Sequence, residues 1–567
     1  MGVGPPRSGK GWAVRPDPVV VAATLAALAL RLVRLGRAPL WFDETYTASW
    51  VALPWGASVS EVLDANHLPP WFLLLGAWTR ALGDSPWLLR LPGVLASAAT
   101  VPVVAAIARL AADRSAARRA AWLFAMLPFA IHHAQEARMY APVALLAAAT
   151  TLAVLRSIAP EGAGAPVLLA VSGAALAATH YYGAVFVALT AAILLGSSRA
   201  RGRARDRVAI AVLVLSVAVA AELAWRLGKP GEAGARYELG ASVLPGIAWA
   251  MVGGCTLVPQ PAEAHALGAR AALPWLPLAV PGLAAAGFAV VAARRVARPW
   301  AWGTLAVLSG AALATPVAAS FLVGGGTSPR YASPGLPALA ALLGIGASLS
   351  RERPARLVAT AVLLACATLG TALHLARPGH GREAVDEAGA WLDAHATSDT
   401  PVVVTSGEMA TLARFHWPHR ALVSHPPLGV VADAGNARAL AESLPFPGGD
   451  RVFFVFGRDW LSDPHGALRA AVLARWFSCG GVEVEGIRIL CLERARTSTA
   501  SGSQPPGRPT RAPRPRTGSR RAVGSARGCR SRRPRPRRGP RRARLGTTAR
   551  TSREGTRGCR RGHGSAG

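Results

Sequence analysis

Acidic, imidazole, phenol and guanidinium side chains recur in short clusters separated by long apolar runs. Trp41-Phe42-Asp43-Glu44-Thr45-Tyr46 carries two adjacent acids, and Asn66-His67-Leu68-Pro69-Pro70 an imidazole. His132-His133-Ala134-Gln135-Glu136-Ala137-Arg138-Met139-Tyr140 mixes both signs of charge, while Thr179-His180-Tyr181-Tyr182 and Ser328-Pro329-Arg330-Tyr331 add further polar groups. An acid within hydrogen-bond reach of a hydroxyl can take its proton. Arg138 and Arg330 can hold phosphate oxygens through forked donors. Tyr and His side chains can hydrogen-bond hydroxyls, so the set suits chemistry on an anionic lipid. Each cluster also has a plainer reading. Asp43 and Glu44 would serve equally as solvated loop charges or partners of Arg37, Glu136 and Arg138 as a structural ion pair, and His180 as a packing residue.

The elements that must position these groups are membrane spans. Apolar runs near the ~20 residues needed to cross a hydrocarbon core fall at 18–35, 87–108, 120–131, 140–155, 166–178, 182–195, 208–225, 274–291, 300–323, 334–349 and 357–375. The first run has no small-residue cleavage site and reads as a retained anchor. Basic clusters precede the first run (Arg7, Lys10, Arg15) and follow the second (Arg109, Arg114, Arg118, Arg119), the sixth (199–207), the eighth (Arg294, Arg295, Arg298) and the tenth (Arg351, Arg353, Arg356). All fall on one side if there are eleven spans with residues 1–17 in the cytoplasm. Residues 68–82, too short to cross, then lie at the outer interface within a first outer loop, 37–87. Arg31, Arg34 and Arg37 break the pattern at the outer end of the first span, where they are expected to face lipid phosphate. Every chemistry-bearing cluster falls on the outer side, although the topology rests on Arg positions in other loops. Polar groups at that depth usually line a cavity or pair with one another.

Beyond the transmembrane part, 18–376, soluble character returns over 377–495. Runs at 401–405, 452–457 and 487–492 read as buried strands, and 383–395 and 466–477 have helical spacing. The expected fold is therefore an all-α polytopic domain of about eleven transmembrane helices with a small extracytoplasmic α/β domain. Cys479 and Cys491 lie in that domain, either as a disulfide or as two free thiols. Residues 496–567 hold 22 of the 63 basic residues and one acid, Glu554. Arg, Gly, Pro, Ser and Thr without apolar partners cannot offset chain entropy, so this tail reads as disordered. It accounts for about two-thirds of the formal charge of +33, and only Lys10 and Lys229 are lysine, so the Arg excess follows codon bias and no specific nucleic acid partner is implied. A hydrophobic content of 51% excludes a wholly disordered basic protein. Six cysteines without a CxxC exclude a disulfide scaffold or zinc ribbon.

At these motifs the chain resembles the membrane glycosyltransferases of the GT-C type. The likeness is strongest to glycosyltransferase family 39, which includes protein O-mannosyltransferases, and to the bacterial lipid A aminoarabinose transferases. It rests on Trp41-Phe42-Asp43-Glu44, His67 with Pro69-Pro70, Gly83-Asp84 followed by Leu89-Arg90-Leu91-Pro92, Gln135-Glu136-Ala137-Arg138-Met139-Tyr140, His180-Tyr181-Tyr182, and Arg330-Tyr331 with Pro334 and Pro337, over residues 18–350. The resemblance implies transfer of mannose or a similar sugar from a polyprenyl-phosphate donor to an acceptor hydroxyl, on the outer face of a bacterial cytoplasmic membrane. Asp43 would be the catalytic base, with Glu44 supporting it through the acceptor or a divalent cation. Arg330 and Arg138 would hold the donor phosphate, where charge develops as it leaves. His67, Gln135, Glu136, Tyr140, His180, Tyr181 and Tyr331 complete the expected substrate contacts. Two rivals remain. A transporter or flippase of lipid-linked sugar would need charges at mid-span, whereas these gather at outer ends, and a scaffold acting through the α/β domain leaves the six outer motifs unexplained.

Overall fold

The computed structural model describes residues 16–159, 165–197, 203–227, 243–259, 267–323, 327–377, 382–397, 400–427, 430–444 and 451–493. The basic tail, 496–567, and the basic residues before position 16 lie outside these.

The helices of the bundle are α1 (Pro18–Leu32), α5 (Pro86–Ala111), α6 (Arg114–Met126), α7 (Pro128–Ala134), α8 (Tyr140–Ile158), α9 (Pro166–Thr179), α10 (Tyr181–Gly196), α11 (Arg203–Leu227), α12 (Val243–Gly253), α13 (Leu276–Ala293), α14 (Pro299–Val323), α15 (Leu336–Gly346) and α16 (Pro354–Ala376). Between α1 and α5 lie three short helices, α2 (Phe42–Ala52), α3 (Trp55–Asp64) and α4 (Pro69–Leu82). Each apolar run expected to cross the membrane is helical. Among the described residues, five helices are long and apolar enough to do so by length and composition, and α1, α9, α10 and α12 are shorter apolar helices, so the count of eleven is not established. Helix α12 falls in the 226–270 stretch, to which no span was assigned.

Local chemistry explains the breaks. Asp17 caps α1 by accepting from the Val19 amide at 3.0 Å, with Pro18 opening the helix where its missing N–H is harmless. Pro128 separates α6 from α7 because it cannot donate to the Phe124 carbonyl four residues back. That carbonyl and its neighbour are satisfied by Arg31, whose guanidinium donates to Phe124 O (3.3 Å), Ala125 O (2.9 Å) and Ser97 Oγ (2.7 Å). Arg31 is completely buried. It closes a helix break inside the bundle and does not face lipid phosphate, and Arg34 donates to the terminal carbonyls of α16 at Leu375 and Ala376. The expectation that Arg31 faces lipid phosphate is thereby corrected, while Arg34 stays exposed.

The bundle has a basic end and a site end. At the first, Arg114 and Arg118 bond Asp17, Arg119 donates to Gly344 O, Arg356 to Ala292 O, and the Arg298 amide to Ala111 O. The same helices run from there to the other end, where the motifs at 41–47, 132–140 and 328–331 meet. Small residues allow the close packing between: a Cβ on Gly344 would lie 2.4 Å from the Ala120 backbone, joining α15 to α6.

The chain then forms α17 (Val385–His395), β1 (Val402–Val404), α18 (Gly407–His416), β2 (Leu422–Ser424), α19 (Ala437–Glu442), β3 (Arg451–Gly457), α20 (Asp459–Ser462), α21 (Ala467–Arg475), β4 (Phe477–Val484) and β5 (Ile487–Glu493). The sheet order is β2-β1-β3-β5-β4, with β1 parallel to β2 and β3 and the other pairs antiparallel. Cys479 and Cys491 form a disulfide between β4 and β5, with Cα atoms 5.1 Å apart. This α/β part is docked on α2. Phe42 joins its apolar core, Tyr46 Oη meets Thr411 Oγ1 at 3.3 Å, and His416 Nε2 donates to Leu40 O at 2.8 Å.

Replacing Arg31 with Leu leaves the Ala125 carbonyl without its donor and is expected to cost about 1–3 kcal/mol. A thermal midpoint in detergent unchanged from the parent chain would refute the assigned role.

Candidate active site

Adjacent helical residues point about 100° apart, and α2 uses this to separate its two acids. Glu44 turns inward and is fully buried, as is its partner Arg90 from α5. Arg90 grips it with both arms, Nε to Oε1 at 2.8 Å and Nη2 to Oε2 at 2.6 Å. The Ala137 amide donates to Oε1 at 2.8 Å, and Arg382 Nη1 lies 3.9 Å from Oε2. The remaining Arg90 donors reach the carbonyls of Leu35, Ala38 and Pro39. Glu44 thus locks the start of α2 to α5 and to the segment before α8.

Asp43 faces the other way and remains 13% exposed. Its carboxylate accepts a hydrogen bond from Arg330 Nη1, which stands on the 3₁₀ turn Pro329–Gly335. Arg138 Nη1 donates to the Asp43 carbonyl (3.2 Å) and to Thr47 Oγ1 (3.1 Å), and its Nη2 to His67 Nε2. His67 Nδ1 donates to Ala65 O at 2.7 Å. One neutral tautomer of His67, protonated at Nδ1, meets both demands. Burial and the neighbouring Arg138 push His67 down to about 3, so it stays neutral. For Asp43, burial raises the pKa, but Arg330, Arg138 and Arg458 together outweigh it and hold the carboxyl below its usual value.

Aromatic rings wall this cation pair. The Arg330 guanidinium lies 5.5–5.8 Å from the ring centres of Tyr331, Tyr140 and Trp41. Tyr331 stacks on Tyr182 at 4.8 Å, and His180 stands 5.7 Å from Tyr140 and 6.0 Å from Tyr331. From Tyr331 and Tyr182 an apolar crevice continues between α10 and α14, lined by Val185, Phe186, Leu189, Ala311 and Ala312.

The structure therefore brings Asp43, His67, Arg138, Tyr140, His180, Arg330 and Tyr331 together. The other expected residues have different neighbours. Gln135 Nε2 donates to Arg31 O and Val33 O, each at 2.9 Å, and its Oε1 meets His374 Nε2, tying α1 to α16. Tyr181 donates to Glu222 on α11 at 3.0 Å. Glu136 accepts from His133 Nδ1 at 2.8 Å, with His132 Nε2 at 3.3 Å and Arg382 Nη2 at 3.7 Å. Burial raises its pKa, but His133 and His132 hold it well below the usual glutamate value.

Sequence reasoning gave no role to Arg90, although it stands in the quoted Leu89-Arg90-Leu91-Pro92 motif. It also missed Arg382 and Arg458. Arg458 follows β3 in a left-handed conformation (φ 54°) that places its guanidinium 4.2 Å over the Phe42 ring, ion-paired with Glu383 (2.9 Å) and Glu408 (2.6 Å). Nothing in the local sequence of the α/β part signals that reach.

Residues 64–225 match the family described as dolichyl-phosphate-mannose-protein mannosyltransferase, bearing out the resemblance read from the motifs. No protein of curated function matches the chain in sequence. Among solved structures, the chain is similar to ArnT from Cupriavidus metallidurans bound to undecaprenyl phosphate, at 13% identity and TM-score 0.46, over 86% of this chain and all of the other. It is also similar to the oligosaccharyltransferase AglB from Archaeoglobus fulgidus in complex with an inhibitory peptide and a dolichol-phosphate, at 13% identity and TM-score 0.44, over 84% and 74% of the two chains.

Removing one partner of a buried ion pair leaves the other charge uncompensated, so Glu44→Ala is expected to destabilise the protein by about 3–5 kcal/mol, or to abolish its accumulation in membranes; normal accumulation with an unchanged thermal midpoint would be incompatible with the pairing. The depressed pKa of His67 has its own sign. Below 6.5 the unfolded chain takes up a proton that the folded chain refuses until about 3, so its contribution favours folding above 6.5 and is lost as pH falls through that window. His67→Gln is expected to reduce the acid-side slope of the stability profile, and an identical slope would count against a neutral buried imidazole.

Proposed function

We propose that this chain, a glycosyltransferase of the GT-C type, moves a sugar from a polyprenyl-phosphate donor to an acceptor hydroxyl, with Asp43 as the base and Arg330 as the principal phosphate ligand. The observation that carries the reading is the Asp43–Arg330 ion pair, with Tyr331, next in the chain to Arg330, lining an apolar crevice. A carboxylate and a guanidinium of opposite duty neutralise each other while the site holds no substrate. A donor phosphate that takes the Arg330 donors frees the Asp43 carboxylate, so base activation follows from donor binding.

The acceptor hydroxyl then gives its proton to Asp43 while its oxygen attacks the anomeric carbon. The bond from that carbon to the phosphate oxygen breaks, its electron pair leaves with the polyprenyl phosphate, and Arg330 with Arg138 offsets the charge gained there. Val185, Phe186, Leu189 and Ala311 beside Tyr331 offer the isoprenoid chain an apolar surface. Tyr140, His180, Tyr331 and Trp41 offer rings and polar edges to the sugar. His67 positions Arg138, while Glu44 and Gln135 fix the framework and Tyr181 braces α10. With its oxygens taken by Arg90, the Ala137 amide and the Trp41 amide, Glu44 has a positioning duty in this reading and is not a cation ligand. A mannose-like sugar follows from the name of the matched family. The Cys479–Cys491 disulfide supports an oxidising, extracytoplasmic side for the α/β part and the site docked against it. Basic loops at the opposite end fit a cytoplasmic face, as in a bacterial inner membrane.

The test is Asp43→Asn in isolated membranes supplied with a panel of radiolabelled polyprenyl-phosphate sugars. Transfer of one label by the parent chain and a fall of about 10²–10⁴-fold in the variant, at equal expression, is expected. Unchanged transfer would remove Asp43 from the chemistry, and failure of every label to move would overturn the donor class.

A further inference from the structure

A second group of chemically capable side chains lies beside the site and has no duty in the reaction above. His132 and His133 end α7, and Cys255 opens the 3₁₀ turn that follows α12. One ligand atom from each lies within 4.8 Å of the other two. We propose that these three residues bind one divalent transition metal ion of borderline softness, Zn²⁺ being the best match.

The hydrogen bonding around the histidines prepares both rings for this. Glu136 accepts a hydrogen bond from His133 Nδ1 at 2.8 Å and faces His132 Nε2 at 3.3 Å. With those nitrogens carrying the protons, the opposite ones, His132 Nδ1 and His133 Nε2, present bare lone pairs. Both are buried and have no hydrogen-bond partner among the described residues. A pair of imidazoles, each oriented by a carboxylate on one nitrogen and unoccupied on the other, is the arrangement that surrounds metal-bound histidine. The rings stand nearly perpendicular at 4.9 Å between centres, so they approach a common point without stacking.

The third ligand is delivered by close backbone packing. Gly254 adopts φ +88°, and a Cβ there would fall 2.7 Å from Pro128 Cβ, so only glycine lets the Cys255 turn lie against the start of α7. Two imidazoles and a thiolate suit zinc and its neighbours, and are poor ligands for Mg²⁺ or Ca²⁺. The Cys255 thiol loses its proton to solvent on binding, after which the thiolate and Glu136 carry two negative charges to match the ion. Bonds of about 2.0–2.3 Å require the ligand atoms to draw in by roughly 1 Å, within reach of side-chain rotation. Three protein ligands leave a fourth tetrahedral position, and His132, 13% exposed, lies on the accessible side of the cluster.

The experiment uses the full chain in detergent, stripped of metal by a chelator and titrated with Co²⁺. Its readout is spectroscopic and so is independent of whether sugar is transferred. Tetrahedral cobalt absorption saturating at one ion per chain, with a thiolate-to-cobalt charge-transfer band abolished by added Zn²⁺, is expected. Cys255→Ser should lose that band and Cys366→Ser should keep it, while Glu136→Gln should weaken affinity by about 10–100-fold. A band that survives Cys255→Ser places the ion elsewhere, at Cys529 or Cys559 for instance, and overturns the assignment. Absence of any cobalt spectrum in the parent chain does so without needing a variant.

Discussion

The arrangement of this site depends on the ion pair between Glu44 and Arg90, two opposite charges with no solvent exposure at all. Burial of either alone would cost several kcal/mol, so the pair exists only because every remaining donor and lone pair is met by the backbone around it. Those backbone partners are the consequence that matters. Arg90 collects the carbonyls of Leu35, Ala38 and Pro39, and Glu44 collects the amides of Ala137 and Trp41. One pair thereby fixes the exit from α1, the start of α2, the middle of the 135–139 segment and the first turns of α5. Asp43 and Arg138 are each one residue away from a group so held.

Fixed backbone matters because the working charges balance one another closely. Asp43 is drawn up by burial and down by three guanidinium groups, and the latter prevail. Arg330 is held by one carboxylate and three aromatic rings, none of which demands the forked geometry that a phosphate would use. The cation is thus pre-placed and its better ligand is still to come. Glu136 belongs to a different balance, set by His132, His133 and Arg382, and shares no hydrogen bond with Asp43.

Much of this was legible because it follows from local rules. Long apolar runs gave the helices, and Arg-rich loops gathered at the end where Asp17, Arg114, Arg119 and Arg298 meet. The strands at 402–404, 451–457 and 487–493 fell within the expected runs or a residue of them. The seven residues that converge around Asp43 were all among the motifs. What a linear reading cannot show is direction: Asp43 and Glu44 look equivalent as neighbours, and only the helical turn between them sends one to the cavity and the other to the core. Arg31 was misread for a similar reason. An Arg at a span end ordinarily snorkels to lipid, but a proline ninety-seven residues later breaks the helix ladder, and Arg31 reaches the carbonyls of Phe124 and Ala125 there. Arg382 and Arg458 were invisible because the α/β part returns to the site through tertiary contacts alone.

That return bears on what the α/β part is for. A scaffold resting on an inert bundle would need only the apolar contact around Phe42. Instead, one buried and one partly buried arginine from that part enter the electrostatics of the two acidic clusters, Arg382 beside Glu44 and Glu136, and Arg458 among the charges acting on Asp43. Arg458 is itself held by Glu383 and Glu408, both outside the bundle. Undocking would therefore take one cation from each cluster, leaving Asp43 with a weaker positive field and Glu136 with only its histidines. In this architecture the charge state of the bundle's acids is set partly by a segment that never enters the bundle, which makes the two parts one chemical unit.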